Sequence, residues 1–177
     1  MPNTLGNTLQ ACVRGLEQMI VPAIDPDNPL ALEQATLIAR TIRFTIARLP
    51  HVVARSRQEM RLYQEMAEDL VSDMAAVAPA ELPALQDEIA RADALWHDPH
   101  AGLERIDACA EELAARIAAL VRSCRDDDSA AARRIECAVL RHSPAINRLN
   151  RSWHVLSGFE TRPEEIPPLP SLFPRGE

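Results

Sequence analysis

Lysine is absent from this chain: all 19 of its basic residues are arginine. Arginine and alanine codons can be GC-rich while lysine codons cannot, a bias expected of a GC-rich bacterial genome. Arginine is therefore the default surface cation, and an arginine cluster says less here than in a mixed chain. Aromatic residues make up only 3% and glycine contributes 5 residues, so a core must come from Leu, Ile, Val, Ala and Met. Basic charge is also short, since 26 acidic residues leave a formal net charge of -7. That deficit excludes a nucleic-acid partner, because neutralising phosphates needs a basic footprint. No run approaches the ~20 apolar residues that span a bilayer, so no membrane partner is expected. The start, "MPNTLGNTLQ", has neither the basic residues nor the apolar stretch of a signal peptide, and a cytoplasmic location is expected.

Cysteine pairing is missing too. Cys12, Cys109, Cys124 and Cys137 are widely spaced and form no C-x-x-C, which removes the zinc-ribbon and redox readings. Buried free thiols are the expectation. The chain has no P-loop, G-x-S-x-G or G-x-G-x-x-G, and no Glu-x-x-His of the kind that builds di-iron bundles. No cofactor is expected.

What is present is helical periodicity nearly everywhere. Leu5, Leu9, Cys12, Leu16 and Met19 form a first seam, and Leu32, Ala35, Ala39, Ile42, Ile46 and Leu49 a second. The third runs through Val53, Ser56, Met60, Tyr63, Ala67, Leu70, Met74 and Val77. A short helix fits Ala80 to Leu95, and another carries Leu103, Ile106, Ala110, Leu113, Ile117, Leu120 and Cys124. The last begins near Ser129, carries Ile135 and Val139, and is expected to reopen after Pro144. Such seams bury by packing against other helices. Leu37, Ile38 and Phe44 widen the second stripe, which calls for neighbours on more than one side. Pro50 should displace Leu49 from helical geometry and turn a short corner. The fold class is all-α: a bundle of five or six helices over residues 1–160, then a proline-rich extended tail over 161–177. That tail holds five of the 14 prolines, and its apolar Leu169, Leu172 and Phe173 suit docking in a groove.

One stretch carries candidate chemistry. "LWHDPHAG" places His97, Asp98 and His100 within four residues. With His51 they form the candidate set for a metal, although a helix start explains the spacing more simply. An N-cap Asx or Ser followed by proline opens helices, and Asn28-Pro29, Asp98-Pro99 and Ser143-Pro144 all have that form. Asp98 is then a cap, and no metal is expected. The pair His97-Asp98 resembles the His-Asp of HD-domain phosphohydrolases. The resemblance implies an alternative metal-dependent hydrolase using His51, His97 and Asp98, with one of Asp126, Asp127 and Asp128 as the last ligand. Pro99 departs from that pattern.

The charged run "RSRQEMRLYQEMAED" contains Arg55–Glu59 and Arg61–Glu65 as i,i+4 pairs and reads as a solvated face. Arg148 and Arg151 beside Trp153 could hold an anion, which supports a third reading: a binder of small anions with a pocket between helices. "LQACVRGLEQMIVPAI" followed by "LALEQATLIARTIRFTIARL" resembles an uncharacterised bacterial helical domain. That domain lies beside, or is fused to, aminoglycoside-phosphotransferase-like and acyl-CoA dehydrogenase-like proteins. The resemblance spans residues 1–50, implies an accessory role and supplies no catalytic residues. The leading expectation is a non-enzymatic interaction or accessory protein acting as a homodimer, with the third or fifth helix at its interface.

Overall fold

A computed structural model describes residues 4–174. Among them are six α-helices and no strand: α1 (Leu5–Gly15), α2 (Pro29–Arg48), α3 (Val52–Val77), α4 (Leu82–His97), α5 (Leu103–Ser123) and α6 (Ala130–His154). The all-α expectation holds. None of these helices is long and apolar enough to cross a membrane. The chain divides into two compact units, Met1–Val52 with Trp153–Glu165, and Val53–Ser152 with Ile166–Glu177. The compositional boundary at Thr161 does not coincide with that division.

The second unit holds the large core. α3 buries Ser56, Met60, Ala67, Leu70 and Met74, and α5 buries Ile106, Ala110, Leu113, Ile117, Leu120 and Cys124. Leu85, Ala92 and Leu95 come from α4, and Ile135, Ala138 and Ile146 from α6. Every one of these lies on the periodic stripe of its helix, and removing that area from water is the main stabilising term. The α3 and α5 seams are therefore largely covered inside the unit, which removes the ground for placing a dimer interface on either seam.

The first unit is different. Val13, Ala35 and Ala39 are its buried apolar side chains among the described residues. In α1 the expected seam is only partly covered: Leu5 is 60% exposed and Cys12 is exposed, Leu9 and Leu16 are half-buried, and Val13 is the buried side chain. A π-helical turn over Leu16–Ile20 adds a residue to the following turn and leaves Met19 75% exposed. A bidentate ion pair from Arg43 to Glu17 (3.1 and 2.6 Å) ties α2 to that turn.

The helix ends bear out one sequence expectation and correct two. Asn28 does cap α2, its side chain accepting Ala31 N–H at 3.1 Å. Ser143-Pro144 does not reopen a helix, because α6 runs through Pro144. The Ser143 hydroxyl turns back to donate to Val139 O (2.6 Å), and buried Ala138 and Ile146 hold both halves against the core. At Pro50 the α-helical pattern yields to a 3-10 turn, Leu49–His51, yet Leu49 stays helical (φ -49°, ψ -43°). Proline sits there in a first turn, where its missing N–H has no partner to lose. The tail is not simply extended either. It forms 3-10 turns at Pro163–Glu165 and Leu169–Leu172. Leu169 is buried, and Ser152 Oγ donates to Pro167 O at 2.8 Å.

Gly158, just past α6, is the one described residue with positive φ (82°). Replacing it with alanine puts a Cβ in the left-handed region and 3.2 Å from Arg40 Nη2. Gly158→Ala should cost about 1–2 kcal/mol, read as a lowered urea midpoint at unchanged slope.

Candidate functional site

The histidine–aspartate stretch forms the connection between α4 and α5. Asp98 is the C-terminal cap residue of α4, with the extended ψ (105°) that a following proline imposes. Its Oδ1 accepts His100 N–H at 2.8 Å, closing an Asx turn. The hydrogen bond is the expected one, but the role differs: α5 begins at Leu103 with Gly102 at its N-cap. Asp98 thus ends one helix instead of starting the next. His97 Nδ1 lies 2.9 Å from Asp93 O of its own helix, and His100 is exposed.

Arg57 holds this loop in place. Its Nη1 donates to Leu95 O and Trp96 O (3.1 and 3.0 Å), and its Nη2 to Asp98 O (2.6 Å). Leu95 O and Trp96 O lie at the open end of α4, and the same guanidinium adds a second donor to Asp98 O, which also accepts Ala101 N–H (3.2 Å). One turn further along α3, the Arg61 guanidinium lies over the Trp96 ring, 5.8 Å from its centroid. Among the described residues, no group of three or more His, Cys, Asp or Glu converges to hold a metal ion. His51 belongs to the first unit and His97, Asp98 and His100 to the second. Asp127 Oδ1 accepts Ser129 N–H (2.8 Å), and Ser129 Oγ accepts Ala132 N–H (3.1 Å) at the start of α6.

A groove that periodicity missed lies between α3 and α5. Arg55, Glu59, Tyr63, Asp107 and Glu111 line a hollow of about 360 Å³. Arg55 and Glu59 pair at 2.9 Å with side chains only 22% and 18% exposed, so they are not the solvated pair expected. Arg55 Nη2 also donates to Asn150 Oδ1 on α6 (3.0 Å). Burial pushes the Glu59 carboxyl above its ordinary value; Arg55 opposes this, and Asp107 and Glu111 add to it. Burial, then Glu59, likewise raises the Tyr63 phenol. A perturbed acid beside a phenol is used in proton transfer, but buried ion pairs perturb acids equally, so the shift alone assigns no reaction. The available signal was Tyr63, a seam residue whose i-4 neighbour, Glu59, must lie near the core edge.

The thiols are all free. Cys109 and Cys124 are buried as expected, and burial with Glu88 nearby pushes Cys109 up to about 11. Cys12 and Cys137 are exposed, against expectation. Arg148 and Arg151 are exposed on α6.

The chain matches no known protein family, no curated protein and no solved structure.

Removing the Arg57 fork by Arg57→Met should cost about 2–3 kcal/mol, since hydrogen bonds to a charged donor are the stronger class. Asp98→Asn, which keeps an accepting oxygen, should be nearly silent in the same denaturation series. Equal losses in both would break this account of the loop. Glu59 gives a pH prediction. A carboxyl raised on folding adds stability that is full below its ordinary value of 4.5 and lost as pH rises through the folded value. Glu59→Gln should flatten that decline above pH 4.5, measured by denaturant midpoints across pH.

Proposed function

We propose that the chain is a non-enzymatic interaction or accessory protein that pairs with a second copy of itself through α1 and α2. One observation carries this reading. Of the eleven large apolar side chains exposed among the described residues, nine lie in the first unit, all but Val53 and Leu140. They include Leu5, Met19 and Ile20 around α1, and Leu30, Leu32 and Ile38 on α2. Leu5, Met19 and Leu32 belong to the expected seams, and large apolar side chains concentrated in one unit are what a partner helix would cover.

A self-complementary face is the common solution in homo-oligomers. Two α1–α2 hairpins packed face to face would make a four-helix bundle with the core that one hairpin lacks. The resemblance over residues 1–50 covers almost the same stretch as the first segment of this unit, Met1–Val52, and is in keeping with an accessory role. Free, exposed Cys12 and Cys137 suit a reducing cytoplasm, and the lysine-free composition suits a GC-rich bacterial source.

The test is sedimentation at micromolar concentration. The unmodified chain should run as a dimer, and Met19→Glu with Ile38→Glu should give a folded monomer, because both positions are exposed (75% and 52%). A monomeric unmodified chain would sink the proposal.

A further inference from the structure

A second feature of the first unit points to a small ligand. A cavity of about 210 Å³ opens between α2 and the 3-10 turn Val155–Ser157 that follows α6. Leu37 and Phe44 wall it from α2, and Leu156 and Phe159 from the turn. Arg40 and His154 supply the polar side. On α2 the spacing Leu37, Arg40, Phe44 (i, i+3, i+7) puts all three on one face.

The floor is pre-organised. The Phe44 ring stacks on the His154 imidazole (centroids 6.0 Å apart, 8° between planes). It meets the Trp153 ring edge-on (6.3 Å, 87°). Arg40 is anchored by one bond, Nη2 donating to Ser157 O at 2.9 Å. A guanidinium carries five N–H donors, so most remain uncommitted. No carboxylate among the described residues pairs with Arg40, and no acidic side chain lines the cavity. In a chain of net charge -7, an apolar hollow with arginine at its edge and no acid in its wall is selective for negative charge.

The geometry points to a binding site for a small carboxylate bearing an apolar tail or ring. One guanidinium fork matches the two oxygens of a carboxylate, whereas a phosphate dianion calls for further cations. The tail lies along Leu37, Phe44 and Leu156 and covers surface now open to water: Leu37 is 43% and Leu156 55% exposed. Phe159, 89% exposed, stands at the rim, where its ring extends that apolar wall. Arg40 is the specificity-determining contact and the aromatic floor supplies the contact area.

Octanoate, octanol and octylamine form a matched set of probes, titrated by calorimetry into the full chain below micelle-forming concentrations. Octanoate should bind at least tenfold more tightly than octanol, and octylamine should not bind. Arg40→Gln should cost octanoate at least tenfold and leave octanol unchanged. Leu156→Glu, at an exposed position, places a carboxylate in the wall and should abolish octanoate binding in a chain whose circular dichroism is unaltered. The site is overturned if octanoate produces no heat, if octanol binds as well, or if folded Leu156→Glu binds octanoate normally. A monomer that binds octanoate supports this site while removing the self-association reading, so the two stand or fall separately.

Discussion

Arginine closing the open ends of helices is a constraint that recurs in both units. A helix leaves its last carbonyls without partners, and in a compact chain water does not reach all of them. Arg57 donates to three carbonyls at and just past the end of α4. At the end of α6, Arg48 Nε donates to Trp153 O (2.8 Å) and Arg40 to Ser157 O (2.9 Å). Arg48 is 8% exposed and lies against both the Phe44 and Trp153 rings, 5.7 and 5.6 Å from their centroids. Burial pulls its pKa down, yet a guanidinium keeps its charge at neutral pH where a buried ammonium would not. A chain without lysine has this device available at every cationic position.

The two units resolve the same helical patterning differently. In the second, four helices meet and each seam finds a partner, so Met60, Leu70, Ile106, Leu113 and Ile135 are fully buried. In the first, a helical hairpin and the turn after α6 have little interior of their own. Its order comes from the Arg43–Glu17 pair, the Arg48 stack and the Arg40 bond to the turn. Several of its large apolar side chains, Met19 and Ile38 among them, stay open.

The loop at Asp98 shows how far local chemistry could be read. An Asx–Pro pair announces a side-chain bond to a backbone N–H two or three residues on, and that bond forms. Whether it starts a helix depends on the residues after it, and here His100, Ala101 and Gly102 remain outside α5. Ser143-Pro144 carries the same signature inside a helix, because core contacts on both sides of the proline outweigh one lost backbone bond. The α3–α5 groove was less legible still. Arg55–Glu59 is an i,i+4 pair like Arg61–Glu65, and only the approach of α5 and of Asn150 takes it out of solvent.

Helix content, the number of helices and the seams of α3 and α5 followed from the sequence, because a 3.6-residue apolar period is a property of neighbouring residues alone. Which seam is covered did not follow. α1 and α3 show equally regular stripes, yet Met60 is sealed and Met19 lies open. Periodicity states which face seeks cover, and only the presence of another helix within van der Waals reach supplies it. The cavity at Arg40 is of the same kind: residues 37–44 are local, but His154, Leu156 and Phe159 come from more than 100 residues away. Arg48 and Arg40 bond to carbonyls at and just past the end of α6, and no local pattern encodes which carbonyl an arginine will reach.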